Sequence, residues 1–78
     1  MKRIIDILIE IHPEFDFANS ENFIEDGFLD SFDMITLVAT LDKTYGIKIK
    51  GTDIVPENFC NLNVIRDLMK KYGVNNEV

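Results

Sequence analysis

Basic residues are scarce in the first half of this chain, and the scarcity excludes several functions. Residues 1–42 hold two bases, Lys2 and Arg3, against ten acids, a balance of −8. Residues 43–78 hold six bases against four acids, a balance of +2, so the formal net charge is −6. Between Pro13 and Asp30 lie six acids and no base. Such a surface repels nucleic acid and anionic membrane and suits a partner with a basic patch. Cysteine is almost as rare: Cys60 is alone, so neither an intramolecular disulfide nor a thiolate metal cluster can form. His12 is the only histidine, which leaves a serine nucleophile with one possible imidazole base. A His12–Cys60 pair would lack an orienting partner and a cleft. There is no Gly-x-Ser-x-Gly elbow, Walker loop, dinucleotide fingerprint or basic stripe. Catalysis is not expected.

Long apolar runs are missing too, and none approaches membrane-spanning length. Met1-Lys2-Arg3 and the isoleucines after it imitate a signal peptide, but Asp6 and Glu10 break the run and no small-residue cleavage site follows. The expectation is a cytoplasmic chain without membrane insertion. The acidic loop fails as a calcium site. With Gly27 as the invariant glycine of an EF-hand loop, Asn22, Ile24 and Asp26 take the first ligand positions and Asp33 the twelfth. Ile24 offers no side-chain oxygen, and the required glutamate is missing.

What is present is apolar periodicity. At 78 residues and 46% hydrophobic, the chain makes one domain, 1–78, that buries about 60% of its unfolded surface. Its core is expected over about 3–73, with 74–78 as a frayed tail. Residues 3–11 read as a helix with Ile4, Ile5, Leu8 and Ile11 on one face; Ile7 and Ile9 widen the arc and would also suit a strand. Pro13 stops it. The connection from Pro13 to Leu29 is long, yet it carries Phe15, Phe17, Phe23, Ile24, Phe28 and Leu29, so it should pack across helix ends. Asn19 to Asn22 forms its polar turn, and Asn22 to Asp26 can make a single helical turn.

Asp30 or Ser31 opens a second helix that runs to about Tyr45 and ends at Gly46. Asp30 is a good N-cap, and Asp33 can reach back in a capping box. The Ser31 hydroxyl is then left at the positive end of the helix dipole, where an attached anion is favoured by roughly 0.3–1 kcal/mol. Met34, Leu37, Val38, Leu41 and Tyr45 make the core stripe. Phe32, Ile35 and Ala39 form a second apolar strip beginning beside Ser31. Neighbouring helices would bury it, or partners would grip it; we expect Phe32 and Ile35 to be at least partly exposed. Ile47 to Lys50 reads as an extended connector, and 53–59 as a short third helix or a pair of turns around Pro56. Asn61 caps the last helix, whose inner face is Leu62, Ile65, Leu68, Met69 and Tyr72. Lys70 and Lys71 suit its final turn, and Gly73 closes it. The fold class is all-α: three longer helices, one short helix and a long first loop.

Gly27-Phe28-Leu29-Asp30-Ser31-Phe32-Asp33, with the apolar run Met34 to Leu41 behind it, resembles the attachment site of the acyl carrier proteins. The resemblance spans nearly the whole chain and implies their four-helix bundle. It also implies 4′-phosphopantetheine, supplied from coenzyme A by a phosphopantetheinyl transferase and held covalently on Ser31. Such a carrier is a cytoplasmic monomer that catalyses nothing itself. It holds an acyl or aminoacyl group as a thioester for activating ligases and acyl-transfer enzymes with basic docking patches. Asp30, Phe32, Asp33, Ile35 and Ala39 would form the docking side. Carriers of fatty acid biosynthesis usually read Leu-Gly-Ala-Asp-Ser-Leu, with glycine two residues before the aspartate; here Gly27 lies three before Asp30. Their recognition helix is densely acidic, whereas this one carries Thr36, Thr40, Lys43 and Thr44, with only Asp33 and Asp42 as acids. The Asp-Gly-x-Leu-Asp-Ser form looks more like D-alanyl carriers and stand-alone carriers that serve adenylate-forming ligases. The alternative from another class is an unmodified acidic helical interaction module.

Overall fold

Three amphipathic segments become α-helices because each has a start signal, an apolar face and a stop. The computed structural model describes residues 3–74. Helix α1 is Ile4–Ile11, α2 is Ser31–Tyr45 and α3 is Leu62–Lys71; among the described residues there is no strand.

In α1 the Asp6 carboxylate accepts the Arg3 N–H at 3.2 Å, placing an acid at the positive helix end. The chain leaves the helix at His12, just before Pro13. Ile4, Ile7 and Leu8 are fully buried, Ile5 and Ile11 are half-buried, and Ile9 is exposed. Ile7 therefore sits at the centre of the inner face rather than at its margin. Helix α1 packs against both α2 and α3, and two neighbours cover a wider arc than one stripe.

The loop from Pro13 to Leu29 is part of the core. Phe17, Phe23 and Leu29 are buried. Phe15 and Phe28 stack with centroids 4.5 Å apart, and Phe17 meets both Phe23 and Phe28 edge-on. The backbone is secured at the same points. Phe23 donates to the Cys60 carbonyl, and its own carbonyl accepts from Phe28 and Leu29. Phe17–Asn19 is a 3-10 turn, upstream of the expected polar turn. The single helical turn at Asn22 is present: Asp26 donates to the Asn22 carbonyl at 3.0 Å, and the Asn22 side chain accepts from Ile24 and Glu25.

Helix α2 buries Met34, Leu37, Val38 and Leu41, with Tyr45 half-buried at its end. Gly46 adopts the left-handed conformation, φ 66°, that only glycine takes cheaply. The Asp42 carboxylate accepts from Ile49 at 3.0 Å and draws the extended connector back, so that Ile49 is buried.

Of the two readings of 53–59, a short helix or a pair of turns, the structure has the second: two 3-10 turns, Gly51–Asp53 and Pro56–Asn58. Proline holds the residue before it extended, and Val55 lies at φ −130°, ψ 151°, which splits the segment. Two contacts fix the segment to α3. Lys71 pairs with Asp53 at 2.9 Å, and the Tyr72 hydroxyl donates to Asp53 while accepting the Lys50 N–H. The Tyr72 hydrogen bond, followed by that of Lys71, holds the Asp53 carboxyl below its ordinary value.

Asn61 caps α3 by accepting the Val64 N–H at 2.9 Å. Asn61→Ala is expected to cost about 1 kcal/mol, read as a lowered urea midpoint at unchanged slope. At the other end Val74, expected in the frayed tail, is half-buried and donates to the Met69 carbonyl. The rest of the expected frayed tail, 75–78, lies outside the described residues.

Candidate functional site

Ser31 is the first residue of α2 and is exposed. Its hydroxyl has no hydrogen-bond partner among the described residues, because its neighbours do the capping. The Asp30 carboxylate accepts the Asp33 N–H at 2.9 Å, and the Asp33 carboxylate accepts the Asp30 N–H at 3.1 Å. This is the reciprocal box expected from the spacing. It leaves a free hydroxyl at a helix start, which is the geometry an attached anion needs.

His12 completes the surroundings of this turn. Its Nε2 lies 2.9 Å from Asp33 Oδ1 and its Nδ1 lies 3.3 Å from Glu14 Oε2, with the ring against Phe15. The hydrogen bond to Asp33 raises the imidazole above its ordinary value; partial burial opposes this, and the charges of Asp33 and Glu14 add to it. Burial pushes the Asp33 carboxyl up, but the Asp30 N–H and His12 outweigh it and hold the group low. Both Asp33 oxygens are thus engaged within the chain, and its side chain is only 20% exposed. Of the two acids framing Ser31, Asp30 is the one that faces outward; Asp33 is turned into the protein, where His12 offsets its charge.

His12 was not legible as part of this site. It stands 21 positions before Asp33, and nothing local joins a residue preceding a proline to a helix start. Nor do His12 and Cys60 form a pair: His12 is engaged as above, and among the described residues the Cys60 thiol meets the Glu57 carbonyl and the Asn61 side chain.

Phe32 and Ile35 are 81% and 62% exposed, and Ala39 is exposed as well. Among the described residues no helix covers this second apolar strip of α2. A shallow hollow of about 550 Å³, lined by Ala39, Thr40, Lys43 and Thr44, extends it along the helix. Among the described residues no group of three or more His, Cys, Asp or Glu side chains could hold a metal, and no helix is long and apolar enough to cross a membrane.

The His12–Asp33 pair is expected to make stability pH-dependent. A raised imidazole value means its contribution is complete below the ordinary 6.5 and lost as pH rises through the raised value. The lowered Asp33 value means its contribution is complete above the ordinary 3.8 and lost as pH falls through the lowered one. Between 3.8 and 6.5 the pair is at full strength. His12→Gln should cost about 0.5–1 kcal/mol at pH 6 and less at pH 8.5, by urea unfolding at both.

No protein-family model, curated protein or solved structure matches this chain.

Proposed function

We propose that the chain is a carrier protein of the acyl-carrier type, with 4′-phosphopantetheine attached covalently to Ser31. One observation carries this reading: Ser31 is an exposed helix-start serine whose hydroxyl is free while Asp30 and Asp33 do the capping. The residues present fit the group. The first-turn N–H groups and the helix dipole favour a phosphodiester anion at Ser31 Oγ. His12 offsets the nearest inward carboxylate. When bound, the group supplies a thiol that holds an acyl or aminoacyl cargo as a thioester. The chain contributes anchorage, placement and a docking face and performs no bond-making itself. Three α-helices with two short turns before the last support this reading, which expects three longer helices and one short element.

Partner enzymes with basic patches would meet the outward Asp30, and Phe32, Ile35 and Ala39 would supply apolar contact. The transferase, the activating ligase and the acyl-transfer enzymes would each bind transiently, to a monomer in the cytoplasm. The outer face of α2 favours the aminoacyl variant of the reading, because Thr36, Thr40, Lys43 and Thr44 replace the dense acids of fatty-acid carriers.

Intact mass after incubation with coenzyme A and a promiscuous phosphopantetheinyl transferase tests the proposal. The expected result is a gain of one phosphopantetheine. A folded chain that gains nothing would instead be an unmodified acidic interaction module, with Ser31 a plain first-turn residue.

A further inference from the structure

The sole imidazole of the chain grips the helix turn that carries Ser31, from a different element of the fold. Its Nε2 meets Asp33 Oδ1 at 2.9 Å, and the other Asp33 oxygen accepts the Asp30 N–H at 3.1 Å. Asp30 in turn accepts the Asp33 N–H. Ser31 lies inside this ring of contacts, so whatever moves the Asp33 carboxylate moves the backbone on either side of the serine. On its far side the imidazole is held by Glu14 at 3.3 Å and packed on Phe15. Among the described residues, Asp33 and Glu14 are the charged groups that face the ring. We propose that His12 is a positioning residue for Ser31: its protonated ring fixes the first turn of α2 and offsets the Asp33 charge, so that modification of Ser31 is faster when the imidazole is protonated.

The modification in question is the one put forward above, and the rate consequence rests on that reading. In that transfer the Ser31 hydroxyl gives its proton to a base of the transferase, Oγ bonds phosphorus, the pyrophosphate bond of coenzyme A breaks, and adenosine 3′,5′-bisphosphate leaves. A phosphodiester anion thus arrives beside two carboxylates. With the imidazole charged, Asp33 is offset and both ring nitrogens donate. On deprotonation the remaining proton serves Asp33 or Glu14 but not both. The shorter contact keeps it on Nε2, so Glu14 is released, the ring loses its second anchor, and the negative charge of Asp33 is no longer offset. The contact to Asp33 loosens without vanishing, so the effect is graded.

The test compares the full chain with His12→Gln, which keeps a neutral donor but cannot titrate. Amide spectra of the unmodified chains from pH 5.5 to 8.5 read the coupling directly and do not depend on what Ser31 carries. The Ser31 and Asp33 amide signals should shift with the midpoint of the His12 ring, and the shift should vanish in His12→Gln. The rate of phosphopantetheine transfer, as the ratio of wild type to His12→Gln at each pH, cancels the transferase's own pH profile. That ratio should be about threefold at pH 6, the size of one unit charge nearby in a water-like medium, and should fall toward one by pH 8.5. Ser31 and Asp33 amides that ignore the His12 titration, or a ratio independent of pH, would overturn the proposal. Coupled amides with no transfer to either chain would support the positioning role and overturn the carrier reading instead.

Discussion

Ser31→Ala is expected to abolish the mass gain completely while lowering stability by less than about 1 kcal/mol. The hydroxyl bonds to nothing among the described residues, and alanine at the first position of a helix has good propensity. The capping belongs to Asp30, whose carboxylate accepts the Asp33 N–H at 2.9 Å. Asp30→Ala should therefore cost about 1 kcal/mol, within the usual 0.5–2 kcal/mol for an N-cap. Intact mass and urea midpoints, measured on both variants, separate the two roles. A serine that served only the helix would give the reverse order, with Ser31→Ala the more destabilising and no mass gain in the wild type to lose.

Phe23→Ala is expected to cost about 3–5 kcal/mol, the usual range for a buried phenylalanine. A 78-residue domain has a total stability of roughly 4–12 kcal/mol, so this one change removes a large part of it. Phe23 is fully buried, meets Phe17 edge-on at 5.1 Å, and its backbone joins the loop to Cys60, Phe28 and Leu29. Phe32→Ala removes the same ring from a site 81% exposed and should change stability by less than about 0.5 kcal/mol. Its effect should fall on partner binding. A chemical unfolding series with both variants checks the contrast; a Phe23→Ala cost below about 1 kcal/mol would mean that the long loop is not core.

The elements readable in advance are those whose cause lies within a few residues. Asp30 with Asp33, Asn61 with Val64, Pro13 after His12 and Gly46 after Tyr45 each act over at most three or four positions, so hydrogen bonds and backbone sterics fixed the helix ends. Periodicity located the inner face of α2 for the same reason, and it marked Phe32 and Ile35 as an outer strip. The free Ser31 hydroxyl follows from the same local box. What stayed hidden depends on which segments meet. Ile7 became the centre of α1 because two helices cover it, and the choice between a short helix and a pair of turns around Pro56 stayed open in the sequence; Lys71 and Tyr72 hold the turned form through Asp53. His12 joined the site only because the end of α1 comes to rest on the start of α2. Local chemistry determined where the helices begin, where they stop and which serine is presented. Only tertiary packing could decide what stands beside that serine, because an ion pair between residues 12 and 33 exists only once the core between them has closed.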